Sequence, residues 1–272
     1  MSTEIKKEKK ITSLAVSESF YSVQCEGHTT GYPAYFMRLK GCNLMCGGVG
    51  GELMKTGEAT WWCDTEAVWK QGFEKQFYRI VQEWDNEKIL DDKSVLDWIM
   101  EGRIHLIWTG GEPTIPKHQK AITAFHEWFG EYCKEKTGGE LNSFNEIETN
   151  GTMYIQDSLF DLLDQINCSV KLQNSGMPVN RRIRGEALER IMEHDNYWFK
   201  FVISTEDCLK EIERDFIKPF NIPHNKVLMM PGLDSQDNYH ERTRFCLEMA
   251  KAYGYIGLSR LHVSAWDKLT GV

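Results

Sequence analysis

The sequence predicts an α/β protein built as an open, partial β/α barrel of about six units. Short apolar runs alternate with amphipathic stretches from about residue 90 onward, the pattern of strands joined by crossover helices into a parallel sheet. About six such units can be counted, short of the eight that close a barrel. Polar or glycine-rich motifs follow three successive strand-like runs, at the end of the strands where parallel α/β folds gather ligands.

Strand-like runs fall at 35–39, 105–109, 145–148, 168–172, 198–203, 226–230 and 257–262. Helix-like stretches fall near 92–101, 117–136, 157–165, 185–194, 206–219 and 237–253. The first run ends at Gly41–Cys42, the second at Gly110-Gly111-Glu112-Pro113 and the third at Thr149-Asn150-Gly151. No internal repeat or low-complexity linker divides the chain. A single domain is therefore expected over 13–272, behind a charged, flexible N-terminus at 1–12 and with a Gly-rich insertion at about 47–61.

With 272 residues, 41% of them hydrophobic, the chain can bury a substantial core. No apolar run approaches the ~18 residues of a membrane helix. The charged start, Met1 to Lys10, lacks the apolar core of a signal peptide, so a cytoplasmic protein with no membrane partner is expected. A net charge of −8 argues against direct nucleic-acid binding, which needs a basic face to neutralise phosphate. Neither a P-loop nor a dinucleotide glycine fingerprint is present, and the missing Cys-x-x-Cys makes a thiol-redox protein a poor fit.

Of the eight cysteines, Cys133, Cys208 and Cys246 lie in helix-like stretches and Cys168 in a strand-like one, where a thiol serves as a small apolar group. Cys42, Cys46 and Cys63 share a different context. The first two sit in a Gly-flanked loop, and the third lies in Trp61-Trp62-Cys63-Asp64-Thr65. Thiolates are soft ligands suited to iron–sulfur clusters or zinc. Three would leave one iron of a cluster open, whereas zinc would recruit a fourth ligand such as Cys25 or His28. The cysteines alone leave both readings open.

Their surroundings are more specific. Glu18-Ser-Phe-Tyr-Ser-Val-Gln-Cys-Glu-Gly27, Gly31-Tyr-Pro33 and Phe36-Met-Arg-Leu-Lys-Gly-Cys-Asn-Leu-Met-Cys46 are followed by Trp62-Cys-Asp-Thr65 and Thr109-Gly-Gly-Glu-Pro113. Glu148-Thr-Asn-Gly151, Ser169-Val-Lys171 and Leu258-Ser-Arg-Leu-His262 complete the series. In this order they resemble the 7-carboxy-7-deazaguanine synthases of the radical S-adenosylmethionine superfamily.

The resemblance implies a fold of the radical S-adenosylmethionine type and a 4Fe–4S cluster on Cys42, Cys46 and Cys63. It assigns S-adenosylmethionine contacts to Trp62, Gly111, Glu112, Glu148, Asn150, Ser169, Val170 and Lys171, and a Mg2+ ligand to Thr65. Substrate contacts fall on Val23, Gln24, Cys25, Arg38, Thr109 and His262. The implied reaction converts 6-carboxy-5,6,7,8-tetrahydropterin to 7-carboxy-7-deazaguanine with loss of ammonia, a lyase step in 7-deazaguanine (queuosine-type) biosynthesis. No catalytic side chain is implied beyond the cofactors. An external, flavodoxin-like electron donor and a homodimer are also implied.

Two features depart from the family pattern. Sixteen residues separate Cys46 from Cys63, where the superfamily usually has two, and Cys25 stands where the family usually has glycine. An activating enzyme for a glycyl-radical partner and a zinc-binding structural module are the alternative readings.

Overall fold

The computed structural model describes residues 10–47, 59–61, 63, 65–139, 141–233, 236–269 and 271. One sheet of nine strands organises them. The strands are β1 (Ser13–Val23), β2 (Pro33–Leu39), β3 (Phe73–Gln76), β4 (His105–Gly110), β5 (Phe144–Thr149), β6 (Gln165–Cys168), β7 (Tyr197–Ile203), β8 (Val227–Pro231) and β9 (Ile256–Gly257). Their order is β3-β1-β2-β4-β5-β6-β7-β8-β9. From β2 to β9 every pairing is parallel, while β1 runs antiparallel to both its neighbours. β3 and β9 are separate edges, so the barrel is open, as the unit count predicted.

Helices connect the parallel strands: α1 (Glu66–Trp69), α2 (Phe77–Asn86), α3 (Val95–Met100), α4 (Pro116–Thr137), α5 (Asp157–Phe160), α6 (Val179–Arg182), α7 (Gly185–Met192), α8 (Glu206–Ile212), α9 (Lys218–Phe220), α10 (Tyr239–Tyr253) and α11 (Leu261–Trp266). Local chemistry sets several of their ends. Ser94 and Asp97 form a reciprocal capping box at the start of α3. Pro116 opens α4, where its missing N–H costs nothing, and Gly138 closes it in the left-handed conformation. None of the helices described is long and apolar enough to cross a membrane.

Strand alternation divides the sheet into two unlike faces. Leu106, Trp108, Ile147, Ile166, Phe199, Phe201, Val227 and Met229 point to the helix side and join the main core. Their alternates on the concave face include His105, Thr109, Glu146, Glu148, Gln165, Asn167 and Lys200. A filled barrel would carry branched apolar residues at such positions. Polar ones mark a lumen shaped for a ligand.

The structure corrects several sequence expectations. β1, β3 and α2 were not anticipated, although Phe77, Ile80, Val81 and Trp84 of α2 are buried at helical spacing. β6 ends at Cys168, because its pairing with β5 and β7 stops there, so 169–172 is a loop at the mouth of the barrel and not the strand predicted. Of the final strand-like run only Gly257 pairs with β8, beside Ile256 just before it, and His262 lies on α11. The helix predicted at 206–219 is interrupted by a π-turn at Glu213–Ile217. Pro219 follows after Lys218, and a proline ring clashes with the carbonyl four residues earlier, that of Asp215 within the turn, breaking the regular ladder.

Candidate active site

The concave face opens into a cavity of about 520 Å³, within the usual range for small-molecule sites. The loop after β2 carries Cys42 and Cys46 to its wall. There Leu44, Cys46 and Met177 form a small buried apolar cluster, with Cys42, Met45, Trp61 and Cys63 packed against it. All three thiols line the cavity. Burial pushes the Cys42 thiol up to about 12, with Glu112 and the neighbouring cysteines adding to it, and the Cys46 thiol up to about 11. These are not spontaneously reactive thiols, and metal binding is what would ionise them. Three thiols on one apolar wall, open to a cavity on the other side, fit a cluster with one iron left for a ligand.

The expected insertion is pinned at both ends. Gly47 N–H donates to the Ser175 carbonyl at 2.7 Å, and Thr60 N–H donates to the adjacent Asn174 carbonyl at 2.9 Å. The Trp61 indole N–H reaches the Asn174 side-chain oxygen at 3.1 Å. Cys63 N–H then closes on the Cys46 carbonyl at 3.1 Å. Trp62, predicted to lie against adenine, falls outside the described residues, as does most of the insertion.

Cys25 lines the same cavity but does not join the cysteine cluster. Its Sγ donates to the Val23 carbonyl at 3.3 Å, and burial pushes its thiol up to about 11. Thr65 Oγ1 lies 3.3 Å from Cys63 Sγ on the cavity wall, an oxygen of the hard type that magnesium takes.

Gly110 and Gly111 have a reason within the chain itself. A Cβ at Gly110 would stand 2.3 Å from the Leu39 nitrogen, and one at Gly111 would stand 1.7 Å from the Gly41 oxygen. Their bareness lets β4 press against the cysteine loop, and Glu112 N–H then donates to the Gly41 carbonyl at 2.9 Å. The Glu112 carboxylate is buried and accepts from Thr114 N–H, Thr149 Oγ1 and Asn150 N–H at 2.7 to 2.9 Å. Burial raises its pKa despite these bonds. Asn150 Nδ2 in turn donates to Asn43 Oδ1 at 2.9 Å and lies 3.9 Å from Cys42 Sγ. Glu112 and Asn150 thus brace the cysteine loop from behind.

Other predicted residues converge on the cavity from several elements. Val23, Gln24, Arg38, Thr109, Glu148, Ser169, Lys171 and His262 all line it. Glu148 accepts from Gln24 Nε2 at 3.1 Å and from Thr109 Oγ1 at 2.7 Å, joining residues assigned separately to substrate and to S-adenosylmethionine. Gln24 is 1% exposed and its amide oxygen accepts from Glu26 N–H at 3.1 Å, so it acts as a brace more than as a free amide. Arg38 donates to Glu18 at 2.8 Å and lies over the Phe20 ring. Lys171 Nζ donates to Ser169 Oγ at 2.9 Å. Val170 is the exception: its side chain belongs to the main core, which leaves only its backbone for a ligand.

Sequence reasoning missed an ion-pair group on the cavity wall. Glu26 accepts from Lys200 Nζ at 2.6 Å and from Arg260 Nε at 3.0 Å, with His262 Nδ1 at 3.9 Å. Burial alone would raise the Glu26 carboxyl, but Lys200, Arg260 and His262 outweigh it and hold it well below the usual carboxylate range. Lys200 is raised, since Glu26 and Glu148 overcome the opposing effect of burial. The available signal was a lysine alternating with apolar residues inside β7, together with Glu26 and Arg260 inside quoted motifs.

Comparison with known proteins gives a consistent likeness. The chain is 28% identical to the 7-carboxy-7-deazaguanine synthase of Pyrobaculum aerophilum over 256 residues, covering 94% of this chain and 96% of the relative. It is 24% identical to that of Halobacterium salinarum, covering 94% and 91%. For Rhodopirellula baltica the figures are 26% identity, 93% and 86%. The crystal structure of QueE from Escherichia coli shares the fold at a TM-score of 0.59 and 18% identity, covering 92% of this chain and 95% of that one. No family model matches the chain.

Proposed function

We infer that this chain, assigned to the 7-carboxy-7-deazaguanine synthases by a likeness spanning 94% of its length, converts 6-carboxy-5,6,7,8-tetrahydropterin to 7-carboxy-7-deazaguanine with loss of ammonia. It is a lyase of 7-deazaguanine biosynthesis in this reading. The observation that carries it is the convergence of Cys42, Cys46 and Cys63 on one cavity also lined by Gln24, Arg38, Thr109 and His262. Cys42, Cys46 and Cys63 would hold a 4Fe–4S cluster, which with S-adenosylmethionine and one electron from an external donor would supply the radical chemistry of the reaction.

The protein's own residues bind, orient and exclude. The apolar packing of Leu44, Met177 and Trp61 shields the cluster from water. Glu112 and Asn150 fix the loop that presents Cys42. Arg38 offers a planar guanidinium to the substrate carboxylate, in competition with Glu18. Glu26, held ionised by Lys200 and Arg260, provides a fixed acceptor for the N–H groups of a pterin ring. Thr65 would hold Mg2+ through its hydroxyl oxygen, a hard ligand of the type that ion takes. An external one-electron donor of flavodoxin type and a homodimer belong to the same reading.

The test is product analysis after anaerobic reconstitution with iron, sulfide, S-adenosylmethionine, Mg2+, reductant and the carboxylated pterin. The 7-deazaguanine acid and one ammonia should form. Formation of 5′-deoxyadenosine with unaltered pterin would overturn the substrate assignment.

A further inference from the structure

We propose that Glu146 is a positioning residue that acts through Thr29 to set the loop carrying Gln24 and Glu26 into the substrate cavity. The proposal rests on the functional reading above. Glu146 is fully buried, two residues before Glu148 on the same concave strand face. Its carboxylate accepts the Thr29 hydroxyl with both oxygens, at 2.5 and 2.7 Å. It also accepts from Gln165 Nε2 at 3.2 Å and Asn167 Nδ2 at 3.3 Å, with His105 Nδ1 at 3.5 Å. Placing a carboxylate here is costly unless donors surround it, and the donors come from two separate segments, the turn at Thr29 and strand β6, with His105 of β4 alongside. Such a site fixes geometry at the expense of an apolar alternative.

What it fixes is the turn after β1. Gly31 N–H donates to the Gln24 carbonyl at 2.7 Å and Gln24 N–H to the Tyr32 carbonyl at 2.8 Å, closing the turn on itself. Gly27, at φ +86°, sits so close to Asn167 that a Cβ there would meet its side chain at 3.3 Å. The turn therefore rests on the sheet at two levels: Gln24 on Glu148, and Thr29 on Glu146. If the lower anchor is released, the upper one must hold Gln24 and Glu26 alone.

Glu146→Gln removes one of the two acceptor oxygens: Oε2 also takes Gln165 and Asn167, whereas Oε1 is met by Thr29, so the two-oxygen grip on the Thr29 hydroxyl is lost. Thr29→Val removes the hydroxyl at nearly constant volume, and Thr29→Ser restores it. Two measurements decide the matter. The first is amide hydrogen exchange across 24–32 in the full-length chain. It should speed up about tenfold or more in Glu146→Gln and Thr29→Val, as expected for a lost hydrogen bond to a buried charge, and stay at the wild-type rate in Thr29→Ser. The second is kinetic: the pterin KM should rise about tenfold in the same two variants while the S-adenosylmethionine KM stays within about twofold. Unchanged exchange in folded Thr29→Val overturns the anchoring. A parallel rise of both KM values, unrelieved in Thr29→Ser, overturns the positioning role. A wild-type enzyme that leaves the pterin untouched refutes the functional reading instead, and the exchange result still decides the anchor.

Discussion

The backbone N–H of Cys63 donates to the carbonyl of Cys46 across 3.1 Å, although sixteen residues lie between them in the sequence. The excursion is closed by the bonds of Gly47 and Thr60 to the neighbouring carbonyls of Ser175 and Asn174. A longer loop adds little closure cost, about 0.6 kcal/mol per doubling, so a few hydrogen bonds suffice to return the third thiol.

Asn174 is the residue on which that return depends most. Its side chain bonds Trp61 Nε1 at 3.1 Å and the Val202 carbonyl at 2.9 Å. Asn174→Ala should lower iron per chain after reconstitution and speed its loss to a chelator. Two partly buried hydrogen bonds contribute about 2 kcal/mol together, about an order of magnitude in the bound fraction under limiting iron. Wild-type retention would show that Cys63 is held by other means.

If Thr65 is the magnesium ligand proposed above, its substitution should separate magnesium dependence from cluster binding. Thr65→Ala should keep iron content and S-adenosylmethionine binding, while the response of turnover to Mg2+ weakens. Thr65→Ser should restore it. A magnesium dependence in Thr65→Ala identical to wild type would remove Thr65 from the site.

Arg38 is half-engaged by Glu18, which leaves further guanidinium donors for a substrate carboxylate. Arg38→Ala should weaken pterin binding by more than about tenfold, since losing a charge-assisted contact in a cavity costs roughly 2–5 kcal/mol. His262→Ala should weaken it less. Unchanged pterin affinity in Arg38→Ala would mean that the residue serves only the Glu18 pair.

His126 supplies a pH dependence independent of the active site. It is buried, accepts from Trp108 Nε1 at 3.0 Å, and burial pushes its pKa from 6.5 down to about 4. The fold therefore favours the neutral ring. The stability this confers is complete above pH 6.5 and is lost as pH falls toward 4, by about 3 kcal/mol in all. Urea unfolding at pH 7 and pH 4.5 should show the loss in wild type and a smaller one in His126→Gln, which keeps an acceptor for Trp108. Equal losses in both would contradict the assignment.

Much of this was legible in the sequence where it repeats a local rule. The strands β4, β5, β7 and β8 were readable as apolar runs, and α4 and α10 were found to within a residue or two. The edge elements were not. β1 spans Ser13–Val23, where only Leu14 and Val16 are buried and the rest is half-buried and largely polar, and its partner β3 is four residues long. Three thiols facing one cavity were readable because each sits in a short local motif, Cys42 and Cys46 in one and Cys63 in another. The Glu26–Lys200–Arg260 group was not, because its members lie on three distant segments and their pairing exists only after the sheet forms. Glu146 escaped for a related reason: in the sequence it reads as an interruption of an apolar run, and only the concave face makes it a shared acceptor.

The central claim is that Cys42, Cys46 and Cys63 hold the cluster and Cys25 does not. Iron content and visible thiolate-to-iron absorbance of anaerobically reconstituted Cys63→Ala and Cys25→Ala test it most directly. Cys63→Ala should lose both signals, as should Cys42→Ala and Cys46→Ala, while Cys25→Ala keeps a full cluster. A full cluster in Cys63→Ala together with its loss in Cys25→Ala would contradict the account, and the placement of Thr65 would fall with it.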